Sequence, residues 1–188
     1  DDIYFPGFAE RLLAALCKGA DIAYCGSNAR EPWQPATRGH APLPAPALLA
    51  DNFIPTNAFA VRADFLRTTG CRMREDLEYL EDWDFLLQLL RSGAYFVPVY
   101  ETLCEYRVIG DGNRTKKTDQ RQWDACARDA AQCAEEAARA LGSEGMARAV
   151  LAFDFAQRPP LSEKESRLMN MAATMLAQYR ESEDRHVG

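Results

Sequence analysis

Leu77-Glu78-Tyr79-Leu80-Glu81-Asp82-Trp83-Asp84-Phe85-Leu86-Leu87-Gln88-Leu89-Leu90 runs a cluster of carboxylates straight into an amphipathic pattern. Leu80, Trp83, Leu87 and Leu90 recur at helical spacing and Gly93 stands where a helix would stop, which predicts a helix of about three turns with a buried stripe. Glu81, Asp82 and Asp84 then fall in its first turn, where acidic side chains suit the positive end of the helix dipole. That structural reason accounts for one or two acids. Glu75, Asp76, Glu78, Glu81, Asp82 and Asp84 lie close together in the chain, and acids packed so closely repel unless a cation, a basic group or water separates them. The surplus hints at a site.

Around this helix the chain reads as alternating helices and strands. Phe8, Leu12 and Leu16 mark a first helix, opened near Pro6 and ended at Gly19, which feeds the buried strand Asp21-Ile22-Ala23-Tyr24-Cys25, closed by Gly26. Five of the ten prolines fall between Gly26 and Pro46, predicting a long surface loop that carries Trp33 and His40 as possible ligand contacts. The chain then passes through Asp51 to Asn57 into the strand Ala58 to Arg62, a short helix from Ala63 ended by Gly70, and the acidic helix. Tyr95 to Val99 reads as a strand with Pro98 at an edge or strand end, and Thr102 to Val108 as another, with Cys104, Tyr106 and Val108 on one face.

After the turn Gly110-Asp111-Gly112-Asn113 the chain is helical. Asp119 to Leu141 is alanine-rich, with Trp123, Ala130, Cys133 and Ala137 on one side and Gly142 as the stop. A second helix spans 143–155, and Ser162-Glu163-Lys164-Glu165 is a capping box that opens a third.

With 188 residues, 47% hydrophobic and 27% charged, the chain can bury a real core. A net charge of −6 argues against nucleic acid as the main partner. No apolar run is long enough to span a membrane and no signal peptide is visible. The six cysteines form no C-x-x-C pair, so free, mostly buried thiols in a reducing compartment are expected. The chain opens on Asp1-Asp2 rather than methionine, which suggests processing, a domain or an incomplete chain.

Asp1-Asp2-Ile3-Tyr4-Phe5-Pro6, Asp21-Ile22-Ala23-Tyr24, Asn57-Ala58-Phe59-Ala60-Val61-Arg62, Gly70, Glu81-Asp82-Trp83-Asp84-Phe85 and Tyr106-Arg107, in that order, resemble the second half of a family 2 glycosyltransferase. The most specific piece is the Glu-Asp-Trp-Asp step followed by a leucine-rich helix and a glycine. The resemblance implies an α/β chain: a partial GT-A fold with a mixed sheet over residues 1–115, beginning at the end of the Asp-x-Asp motif, and an all-helical tail over 116–188. It implies metal-dependent, inverting transfer of a sugar from a nucleotide-sugar donor to an acceptor hydroxyl.

On that reading Asp1 matches the final Asp of the metal motif and Asp2 the residue after it, holding Mn²⁺ or Mg²⁺. Asp82 matches the base that deprotonates the acceptor, with Glu81 beside it and Asp84 as an alternative. Asn57, Trp83 and Arg107 are the expected substrate contacts, Arg107 near the diphosphate. A UDP-sugar donor, a carbohydrate or lipid-linked acceptor and a cytoplasmic location, peripheral at the inner membrane face, follow from the same resemblance. The nucleotide-binding half has no counterpart in the 188 residues, so an exposed sheet edge or the helical tail is expected to favour self-association. Two other classes use the same residues: a metal-dependent hydrolase, although His40 and His186 are the only histidines, and a non-catalytic interaction module of acidic helix and alanine-rich tail.

Overall fold

In the computed structural model, which describes residues 2–30, 38–107, 119–151, 153 and 161–184, an α/β arrangement is built on one mixed sheet. The elements are β1 (Ile3–Tyr4), α1 (Phe8–Cys17), β2 (Ile22–Arg30), β3 (Arg38–His40), a 3₁₀ helix (Ala45–Leu49), β4 (Phe59–Val61), α2 (Ala63–Thr69), α3 (Glu81–Arg91), β5 (Phe96–Arg107), α4 (Gln120–Leu151) and α5 (Glu163–Asp184). β2 is the central strand. β5 lies parallel to it on one side, and β4 and β3 pair antiparallel with its first and second halves on the other. β1 pairs antiparallel with the far side of β5, Ile3 opposite Glu105 and Tyr4 opposite Cys104. Only the first part of β2, Ile22 to Cys25, is the continuous apolar run that burial on both faces favours; the second half carries Ser27, Asn28 and Arg30.

The expected strand end at Gly26 is instead mid-strand. β2 continues to Arg30, and a Cβ at Gly26 would stand 3.1 Å from Thr102 Oγ1 and 3.3 Å from the carbonyl oxygens of Glu101 and His40. The glycine allows three strands to crowd where the β2 to β5 register shifts, so it marks close approach rather than a stop. The two strands expected at 95–99 and 102–108 are one, β5, at least as far as Arg107; Val108 lies outside the described residues. Pro98 sits on the edge side as expected in a local sense: β1 covers only the later part of β5, so no ladder bond is missing there.

The expected surface loop between 26 and 46 is corrected too. Its described part forms β3 and the 3₁₀ helix, and residues 42–48 are buried. Prolines there cost little helix or ladder bonding, and the segment's carbonyls are used: Tyr24 Oη donates to the Leu43 carbonyl at 2.6 Å and Trp83 Nε1 to that of Leu48 at 2.8 Å. Burial pushes the Tyr24 hydroxyl well above its usual pKa, helped by the nearby Tyr100. Trp33 lies outside the described residues.

α3 buries Asp84, Phe85, Leu86, Leu87, Leu89 and Leu90, a wider face than the expected stripe. The reason is its position between the sheet, where Phe85 meets Phe59 at a ring separation of 6.2 Å, and α4. The helical run of α4 breaks at Gly142, with φ 54 and ψ −170, where the stop was expected. The capping box forms: the Ser162 N–H donates to Glu165 Oε2 at 2.7 Å and the Glu165 N–H to Ser162 Oγ at 3.3 Å. Cys133 and Ala134 of α4 and Leu168 of α5 join the same apolar core as β2 and α3. All six cysteines are free, four of them buried. Among the described residues no helix is long and apolar enough to cross a membrane.

Candidate functional site

α3 begins under strain. Leu80 precedes it with φ 62 and ψ 19, the left-handed conformation that a leucine avoids, and caps nothing with its side chain. Such a conformation persists where packing over-determines it. Here Leu80 packs against Leu77, Tyr79 and Cys126, with the Tyr79 and Trp123 rings 5.8 Å apart beside it.

The strained entry aims Asp82 at the segment before β4. Asp82 Oδ2 accepts from Thr56 Oγ1 at 2.9 Å, and Oδ1 accepts from the Trp83 backbone N–H at 2.8 Å. Both oxygens are thus oriented while the side chain stays half-exposed. Glu81, also half-exposed, occupies the same first turn. Trp83 donates its indole N–H to the Leu48 carbonyl and packs, partly buried, against the core.

Thr56 is followed by Asn57, and that step ties α3 to the amino-terminal strand. Asn57 Oδ1 and the Gly26 carbonyl oxygen each lie 3.9 Å from Cys104 Sγ, and Cys104 stands opposite Tyr4 of β1. A hydrogen bond from Cys104 lowers the Cys25 thiol pKa; that bond and burial push Cys104 far up, with the charge of Asp2 adding to the rise. Ser27 Oγ, Asn57 Nδ2 and Asn52 Oδ1 are buried without a hydrogen-bond partner among the described residues. Buried polar atoms are normally paired, so each of the three leaves hydrogen-bonding capacity open. Ser27 on β2 and Asn57 beside Cys104 of β5 lie in the second half of these strands, toward the carboxyl ends of a parallel pair, where open α/β sheets take ligands.

Asp2 is exposed at the start of β1, and Asp1 lies outside the described residues. Among those residues no group of three or more His, Cys, Asp or Glu side chains gathers to hold a metal ion. Arg107 is ion-paired along its own strand. Its Nε donates to Glu105 Oε1 at 3.1 Å, and Arg30 Nε reaches the same oxygen at 3.1 Å. The hydrogen bond from Arg107, followed by the charge of Arg30, keeps the Glu105 carboxyl below its usual range. His40 is not a lone loop histidine: its Nε2 is 3.3 Å from Tyr106 Oη.

Asp84 is separated from Asp82. Two residues along α3 it faces α4, with its side chain 3% exposed and Gln88 Nε2 donating to it at 2.6 Å. Part of the acid surplus is met by a basic group, as the spacing required: Arg74 binds Asp76 and Asp129. Thr56, Ser27 and Arg30 were not singled out by sequence reasoning, and Cys104 only as one face of its strand. A lone threonine or serine carries no pattern, and Arg30 and Glu105 meet only across the sheet.

No family model matches the chain, and no curated protein matches it.

Proposed function

We propose that this chain is part of a family 2 type glycosyltransferase of GT-A fold, transferring a sugar from a nucleotide-sugar donor, a UDP-sugar, to a carbohydrate or lipid-linked acceptor at the cytoplasmic side of a membrane. The observation that carries the reading is the Thr56-Asn57 step. It orients Asp82 from one side and meets Cys104, beside the amino-terminal strand, from the other, leaving Ser27 and Asn57 with unpartnered polar atoms between them.

In this mechanism Asp82 is the base. Its carboxylate, with both oxygens oriented and half the side chain open, takes the proton of the acceptor hydroxyl as that oxygen attacks the anomeric carbon. The bond from that carbon to the diphosphate oxygen breaks as the new one forms, so configuration inverts. Asn57 presents its amide to substrate oxygens. Asp2, with Asp1, supplies the hard oxygen donors that suit Mg²⁺ or Mn²⁺. A cation bound there would neutralise charge on the departing diphosphate.

The test uses the intact protein with UDP-sugar donors and Mn²⁺. Asp82→Asn should abolish transfer while UDP with Mn²⁺ still raises the melting temperature more than Mn²⁺ alone. Unchanged turnover in that variant removes Asp82 from the mechanism, and no stabilisation by UDP removes the donor.

A further inference from the structure

A cavity of about 390 Å³ lies between α3 and α4, on the side of α3 away from Asp82, with Asp84 in its wall. Among the described residues Asp84 shares the one guanidinium of Arg74 with Asp76 and Asp129, at the longest of the three distances, and Arg72 has no carboxylate partner. Arg74 donates through Nε and Nη2 to Asp76, at 3.1 and 2.6 Å, and through Nη2 to Asp129 at 3.3 Å. Arg91 is committed to Glu136. Asp84, by contrast, is a buried carboxylate whose nearest cationic atom among the described residues, Arg74 Nη1, is 3.9 Å away, beyond hydrogen-bonding reach. Arg72 is exposed on the cavity wall, and its guanidinium has no carboxylate partner among the described residues.

A carboxylate taken out of water without a hydrogen-bonded cation is costly, and a cavity that opens onto it can admit one. An ammonium group offers three donors to such an acid, and a guanidinium takes a carboxylate through two parallel N–H groups. We infer that this cavity binds a small zwitterionic molecule, its protonated amine on Asp84 and its carboxylate on Arg72. Gln88 links the two ends of the site, its Nε2 donating to Asp84 at 2.6 Å and to the Arg72 carbonyl oxygen at 3.1 Å. Cys133, also in the wall, supports the charge pattern: burial first, then the charge of Asp84, pushes its thiol up to about 11, so it stands there as a neutral donor. The site is independent of the transfer chemistry.

Calorimetric titration of the intact chain with glycine, 4-aminobutanoate and 6-aminohexanoate, and with butylamine and butyrate as single-charge controls, tests it. At least one amino acid of the series should bind about tenfold or more tightly than either control. Asp84→Asn and Arg72→Gln should each weaken that binding by about tenfold. Because Arg72 is exposed, its variant keeps the test decisive if Asp84→Asn fails to fold. Butyrate or butylamine binding as well as the best amino acid, unchanged affinity in Arg72→Gln, or no binding in the millimolar range by any of the series would overturn the inference.

Discussion

Thr56 Oγ1 donates to Asp82 Oδ2 at 2.9 Å, joining the segment before β4 to the first turn of α3. The bond fixes the carboxylate with one hydroxyl and leaves its remaining lone pairs for an incoming proton. As the base of the proposed transfer, Asp82 would contribute about 10²- to 10⁴-fold. Asp82→Asn is therefore expected to lower turnover by at least about 10²-fold, and Thr56→Val by less, since Trp83 still holds the other oxygen. Steady-state kinetics on the intact protein, split into kcat and KM, checks the order: Thr56→Val should act mainly on kcat.

Gly26→Ala should destabilise the fold by about 1–3 kcal/mol, the usual range for overpacking. Two of the three atoms that a Cβ would meet are backbone oxygens of neighbouring strands, which cannot swing aside. Thr102→Ala removes only the side-chain contact and should recover part of the loss. Urea unfolding of the single and double variants measures both; a Gly26→Ala protein as stable as the parent would mean that the strands part without cost.

Tyr24→Phe leaves the Leu43 carbonyl without its buried donor, at an expected loss of about 1–3 kcal/mol. Trp83→Phe does the same to Leu48 in a half-exposed setting and should cost less, about 1 kcal/mol. Thermal unfolding would rank the two, and the reverse order would show that the Pro-rich segment is held from the α3 side.

The capping box sets a pH dependence. Burial works against ionisation of Glu165, but hydrogen bonds from Ser162 and the Ala41 backbone, aided by the nearby His40, outweigh it and hold the carboxyl below its usual range. A depressed folded-state pKa gives stability that is present above the unfolded carboxylate value and is lost as pH falls through the folded one. Glu165→Gln should thus be less stable than the parent at neutral pH, with the difference shrinking in acid. Ser162→Ala should cost about 1 kcal/mol, the usual value of a cap. A difference that grows in acid would contradict the sign.

Much of the architecture was legible because it is local. The spacing of Leu87 and Leu90, the stop at Gly142 and the pairing of Ser162 with Glu165 each depend on residues within a few positions of one another, and each holds in the folded chain. The acid-rich start of α3 was equally plain, because backbone dipoles and side-chain charges act within a single turn.

What the fold alone decided is which of those acids faces what. Sequence sets Asp82 and Asp84 two residues apart; packing turns one toward Thr56 and buries the other against α4. Gly26 and the segment that holds Pro42, Pro44 and Pro46 differ from expectation for the same reason: their surroundings come from Thr102, Tyr24 and Trp83, distant along the chain and adjacent only once the sheet has formed. The pairing of Arg30 and Arg107 on Glu105 is likewise a product of two strands lying in register. Periodicity records a residue's own turn or strand, whereas the partners that give a side chain its chemistry are brought to it by burial of the core.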